Sequence, residues 1–141
     1  MIMIGLGGNL TSPEFGPPIK VLAGALAHLQ QAGVRLVGCS PWYKSAPIPA
    51  SDQPWFVNGV AHIETALAPQ ALLALLHRTE VRLGRRRRAG DARWAARIID
   101  LDLLAYGDHV TGDGETTGSL HLPHPRLGGR AFVLAPLAAL A

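Results

Sequence analysis

The spacing of apolar residues along this chain switches between a period of two and a period of about 3.6 in a fixed order, and that order admits few topologies. MIMIGL is a short apolar run that reads as a buried strand running into a tight turn at Gly7-Gly8-Asn9. Pro17-Pro18 then opens a helix reaching about Gln30, whose Leu22, Ala25, Leu26 and Leu29 fall on one face. Gly33 ends it, and Val34 to Cys39 form a second strand. A third strand spans Phe56 to Glu64. Pro69 starts a second helix, with Leu72, Leu75, Leu76 and Leu83 on one face and Gly84 as its stop. A fourth strand runs from about Ile98 to Tyr106 and ends in a Gly107-Asp108 turn.

Strand, helix, strand, strand, helix, strand is the order of the split βαβ, ferredoxin-like arrangement, an α+β fold whose antiparallel sheet carries helices on one face. The connection from Ser45 to Pro54, SAPIPASDQP, is a Pro- and Ser-rich loop, long enough in a chain this small to suggest a functional role. Beyond the fourth strand come a polar Gly/Thr-rich stretch to Ser119, the extended LHLPHP, and a short helix expected from Phe132 to Ala141. With 141 residues the chain fits one domain. A domain of this size buries about two-thirds of its unfolded surface and needs no disulfide or structural metal to hold a core. Its 48% apolar and 16% charged residues exclude wholesale disorder. No apolar run approaches the roughly 18 residues of a membrane-spanning helix. The N-terminus lacks the pattern of a secretory signal, and the lone Cys39 permits neither an internal disulfide nor a zinc cluster. A cytoplasmic protein with no membrane partner is expected.

Two strands carry the candidate chemistry. In the fourth, Ile99, Leu101, Leu103 and Ala105 point one way, toward the helices, which leaves Asp100 and Asp102 together on the opposite face. Adjacent carboxylates repel, and a divalent cation is the usual reason to hold them side by side; all-oxygen ligation favours Mg²⁺. The alternative is that both acids sit at an exposed edge and pair with arginines. In the third strand Val57, Gly59, Ala61 and Ile63 form the apolar face, leaving Phe56, Asn58, Val60 and His62 on the other. If the two strands share a sheet, Phe56 and Asn58 face the same side as the aspartates. A ring to stack on and an amide to read a flat heterocycle would then adjoin a cation seat.

The charge distribution points the same way. Between Arg78 and Arg97 lie eight arginines against Glu80 and Asp91, so that segment carries +6 while the remainder carries −3. Arginine forks match phosphate oxygens in pairs, and a local cluster of them on an otherwise acidic domain suits a polyanionic ligand; a solvated, solubilising helix end is the rival explanation. Glu80, among the leucines of the second helix, is placed to touch an arginine or the ligand. His124, stiffened by Pro123 and Pro125, suits a ligand contact or a structural role. Gly7-Gly8 is followed by no P-loop or dinucleotide fingerprint, and a turn is its better explanation.

Taken together, the runs GLGGNL, SAPIP, DQPWFVNGV, the GRRRR loop, ARWAARIIDLDLLAYG and LPHPRLGGRAFVLAPL resemble the 6-hydroxymethyl-7,8-dihydropterin pyrophosphokinases of the folate pathway, from Ile4 to the C-terminus. The resemblance implies transfer of the pyrophosphoryl group of ATP to the pterin's hydroxymethyl oxygen with release of AMP, on a three-layer fold built around the ferredoxin-like core. It implies that Asp100 and Asp102 hold two Mg²⁺ ions, and that Phe56 and Phe132 sandwich the pterin. Asn58 would read the ring's polar edge, and Ser45 and Ile48 would contact it through backbone groups. Arg85 and Arg87 match mobile-loop arginines, while Arg93, Trp94 and Arg97 match residues closing over both substrates. Glu80, His124 and Arg130 fall at nucleotide-side positions.

Where the family usually reads Trp-Gly-Pro-Arg this chain has Trp94-Ala95-Ala96-Arg97; Gly8 stands where Ser is common, and His77 where Gln or Glu is usual. A single domain over 1–141, monomeric and without nucleic-acid partners, is the expectation. Two other readings stand beside it. One is an idle homologue, suggested by the altered loop and by the end at Ala141. The other is a ferredoxin-like RNA-binding module using the Arg-rich loop, although the aromatic RNA-recognition signature is missing.

Overall fold

The computed structural model describes residues 1–46, 50, 52–85 and 98–108. Strand β1 (Ile2–Gly8), helix α1 (Pro18–Gln31), strands β2 (Arg35–Cys39), β3 (Tyr43–Ser45) and β4 (Phe56–Glu64), helix α2 (Pro69–Arg82) and strand β5 (Asp100–Tyr106) follow one another. The strands form one antiparallel sheet in the order β2-β4-β1-β5, with β3 also paired to β4. The fold is therefore α+β, with the strand order of the ferredoxin-like core expected from the periodicities. The helix expected over 132–141, and with it the third layer, lies outside the described residues.

Each helix begins with proline at its first position, where the missing N–H has no partner to lose. Each also ends in a glycine at positive φ, Gly33 at 95° and Gly84 at 104°. After α2 the Gly84 N–H bonds the Val81 carbonyl and the Arg85 N–H bonds the Glu80 carbonyl, the paired bonds of a Schellman cap. That cap returns the chain over the end of its own helix and sets Arg85 beside Glu80.

Both helices cover the same sheet face. Val21, Leu22, Ala25 and Leu29 of α1 and Leu72, Leu75 and Leu76 of α2 pack with Ile4, Leu6, Val57, Ala61, Ile63, Leu101 and Leu103. On the other face Met3, Val60 and Leu104 form a second apolar cluster. Alternation along each strand separates the two sets, which is why the expected apolar face of the Phe56–Glu64 strand is the one the helices cover.

Three local expectations are corrected. Gly7 and Gly8 are not a turn: they are the last residues of β1, opposite Asn58 and Val57. Ser45 does not open a loop but closes a three-residue strand, paired with Phe56. Ala105 does not join Leu101 and Leu103 under the helices. The β1–β5 register shifts between Met3, opposite Ala105, and Ile4, opposite Leu103, so Leu104 is an extra residue in a β-bulge. The bulge reverses the alternation, and Ala105 packs with Met3, Val60 and Leu104 instead. The last two strands of the expected set otherwise keep their places, with β5 beginning at Asp100 rather than Ile98.

Gly59 shows how closely the helix-side face is filled. A Cβ there would stand 2.6 Å from Cε3 and Cζ3 of the Trp42 ring. Gly59→Ala is expected to destabilise the fold by about 1–3 kcal/mol through overpacking. Trp42→Leu in the same background should restore part of the loss. Urea unfolding of the two variants checks this; an alanine variant as stable as the wild type would show that the ring yields freely.

Candidate functional site

Register builds the site. Gly7 of β1 lies opposite Asn58 on one side and Asp100 on the other, and Gly5 lies opposite Val60 and Asp102. Residues directly opposed across antiparallel strands share a face, so Asn58, Gly7 and Asp100 form one row and Val60, Gly5 and Asp102 the next. Both rows lie on the face away from the helices. The two glycines carry no side chains, so the floor between the amide and the acids is bare backbone. Two strand spacings make that floor about 10 Å wide. Leu104 closes one end of it: a Cβ on Gly5 would meet Leu104 Cδ1 at 3.4 Å.

On the amide side, β3 extends the row. Tyr43 lies opposite Asn58 and Ser45 opposite Phe56. Asn58 is only 8% exposed, and its Nδ2 donates to Ser45 Oγ at 2.8 Å. A Cβ on Gly7 would stand 2.9 Å from Asn58 Oδ1, so the glycine gives the amide its room. Asn9, 2% exposed, donates from Nδ2 to Gln53 Oε1 at 2.8 Å and to the Pro54 carbonyl at 2.9 Å. It ties the segment that leads into Phe56 to the end of β1.

On the acidic side a buried ion pair wraps the edge of β5. Glu80, 3% exposed on α2, pairs with the Arg85 guanidinium and accepts the Leu101 N–H at 3.2 Å. Leu101 turns that N–H toward α2, so a carboxylate satisfies it there. Arg85 Nη1 reaches on to Asp100 Oδ1 at 2.7 Å. Burial pushes the Glu80 carboxyl up to about 7; Arg85 opposes this rise, Asp100 adds to it, and the Leu101 N–H lowers it. The Arg85 guanidinium is pushed up by its two carboxylate partners, against the opposing effect of burial.

A carboxyl whose pKa is higher folded than unfolded favours the folded state while protonated. This contribution is lost as pH rises from about 4.5 through about 7. Glu80→Gln, which mimics the protonated form, is expected to flatten the decline of the urea midpoint across that window in cation-free protein. A slope equal to that of the wild type would remove Glu80 as its source.

The structure thus brings Ser45, Phe56 and Asn58 together on one side of the glycine floor and sets Asp100 and Asp102 on the other. Arg85 joins the acids, and Glu80 stands behind them at the sheet edge rather than on the open face. Ile48, Arg87, Arg93, Trp94, Arg97, His124, Arg130 and Phe132 lie outside the described residues. Sequence reasoning overlooked the Gly5/Gly7 floor and the Asn9 clamp. The first had a signal, two glycines spaced by two within an apolar strand; the second had none, because its partners are 44 and 45 residues away.

The donor set fits a hard divalent cation. Among the described residues no group of three His, Cys, Asp or Glu could hold a metal. Mg²⁺, however, is ordinarily held by one or two carboxylates, with water and substrate phosphates completing its shell. A positive group, the Arg85 guanidinium, already sits against Asp100. Among the described residues no helix is long and apolar enough to cross a membrane.

Comparison with known proteins agrees. The family model for 7,8-dihydro-6-hydroxymethylpterin-pyrophosphokinase (HPPK) matches residues 3–141. A 2-amino-4-hydroxy-6-hydroxymethyldihydropteridine pyrophosphokinase of Pseudomonas aeruginosa is 41% identical over 140 residues, 99% of this chain and 80% of that protein. Its namesake from Methylorubrum extorquens is 40% identical over 139 residues, 98% of this chain and 80% of that one. The one from Haemophilus influenzae is 40% identical over 135 residues, 95% of this chain and 77% of its own length.

Proposed function

The chain belongs to the 7,8-dihydro-6-hydroxymethylpterin-pyrophosphokinase family, and from that premise we propose how its residues carry the reaction. The protein is an ATP-dependent diphosphotransferase: it moves the pyrophosphoryl group of ATP to the hydroxymethyl group of 6-hydroxymethyl-7,8-dihydropterin, in folate biosynthesis. The observation that carries the assignment of residues is the Asn58 amide facing the Asp100/Asp102 pair across a floor of glycine.

Asp100 and Asp102 would hold Mg²⁺, two ions when ATP is present. Such cations neutralise phosphate charge and polarise the group in transfer. Asn58, fixed by Ser45, orients the pterin through hydrogen bonds, and Phe56 stacks on it, with Phe132 as the opposing ring and Ile48 contributing backbone contacts. Fixing the hydroxymethyl group in line with the β-phosphorus lowers the entropic part of the barrier. Arg85, Arg87, Arg93 and Arg97 stabilise charge on the phosphates, with Trp94 closing over the substrates. Glu80, His124 and Arg130 belong to the nucleotide side. One monomeric, cytoplasmic domain over 1–141, acting without nucleic acid or membrane, completes the reading.

Incubation with Mg-ATP and the hydroxymethyl-dihydropterin tests it: AMP is the expected nucleotide product. ADP would mean an ordinary kinase, and the absence of any nucleotide product would favour an idle homologue or the RNA-binding reading.

A further inference from the structure

The acidic pair is not left open to solvent on its α2 side. Arg85 reaches Asp100 at 2.7 Å while its guanidinium also contacts Glu80, and its side chain is only 12% exposed. The Schellman cap at Gly84 fixes the backbone from which this side chain departs. The Leu101 N–H fixes the Glu80 carboxylate that receives it. Three charges are therefore arranged in line around one strand edge: a buried acid, a guanidinium and a half-exposed acid that shares its face with Asp102.

We propose that Arg85 is a built-in competitor for the cation seat at Asp100, anchored by Glu80, so that a divalent cation enters by exchanging with the guanidinium. This inference rests on the reading of Asp100 as a cation ligand. The physical argument is one of shared lone pairs and charge. Asp100 Oδ1 lies at full hydrogen-bond distance from Arg85 Nη1, and two cationic groups on one carboxylate oxygen repel. The buried Glu80 keeps a partner for the guanidinium when Asp100 is taken, so the arginine is not stranded in a low-dielectric position. The exchange couples cation arrival to the freeing of one arginine face beside the site.

Calorimetric titration of the substrate-free full chain with Mn²⁺ alone tests this. Arg85→Met is expected to bind Mn²⁺ about tenfold more tightly than the wild type, because the competitor is gone. Binding that is unchanged or weaker overturns the proposal. A second readout separates exchange from a mere change in local field. In the wild type, side-chain N–H resonances of Arg85 should be resolved without cation and should shift on saturation with Mg²⁺. If they stay in place while Mg²⁺ binds, the exchange is refuted. Asp100→Asn distinguishes the underlying reading: if it retains wild-type Mn²⁺ affinity, Asp100 is no ligand and the reading of the site fails. Loss of affinity in Asp100→Asn without tightening in Arg85→Met would defeat the exchange alone.

Discussion

Asp102→Ala protein is expected to turn over on the order of a thousandfold more slowly than the wild type with Mg-ATP and the pterin, while unfolding at a similar temperature. The activity loss follows from its place. Asp102 lies opposite Gly5 on the face away from the helices, one alternation from Asp100. Taking away one of two carboxylates that counter the phosphate charge removes several kcal/mol of preorganised stabilisation. The stability should survive, because Leu101 and Leu103 carry the packing of that strand on its other side. Steady-state rates with a parallel thermal melt check both halves. Near-normal turnover would show that Asp102 has no part in the site, and a collapsed melting temperature would show that it serves the fold.

Gly7→Ala should have the second-largest consequence, about a hundredfold loss in kcat/KM for the pterin, with little change in stability. The added Cβ would stand 2.9 Å from Asn58 Oδ1, and the next backbone atom, the Val57 carbonyl oxygen, is at a comfortable 3.7 Å. The side-chain amide, not the sheet, must therefore give way. Its shift breaks the alignment set by Ser45 at 2.8 Å, and misplacements of about 1 Å cost on the order of a hundredfold in rate. Mn²⁺ affinity should be retained, since Asp100 and Asp102 are untouched. A variant with the wild-type kcat/KM would mean that the amide does not read the substrate.

Much of this was legible because period-two and period-3.6 patterns are written residue by residue. The Phe56–Glu64 strand has the bounds its alternation predicts, and Pro17-Pro18 and Pro69 announce both helices. The facing of Asn58 toward the aspartates followed from the same parity once the strands shared a sheet. Three features left no such trace. Strand β3 is three residues long, too short for any period to declare itself. The bulge at Leu104 sits in Leu-Leu-Ala, which reads identically with or without an extra residue. Arg85 is the first of four consecutive arginines, and only the helix cap and Glu80 single it out.

The bulge in β5 also bears on how such a chain tolerates change. Because one unmatched residue resets parity, the strand behaves as two cassettes. The leading one, Asp100 to Leu103, presents acids outward and leucines inward; the trailing one, from Leu104, has the opposite phase and ends on Tyr106, whose hydroxyl donates to the Leu67 carbonyl. Deleting residue 104 would leave the first cassette's chemistry in place but turn every later side chain to the wrong side of the sheet. Insertions and deletions beyond Leu104 are thus a hazard to the scaffold, whereas substitutions before it are a hazard to the chemistry, and the two can drift independently.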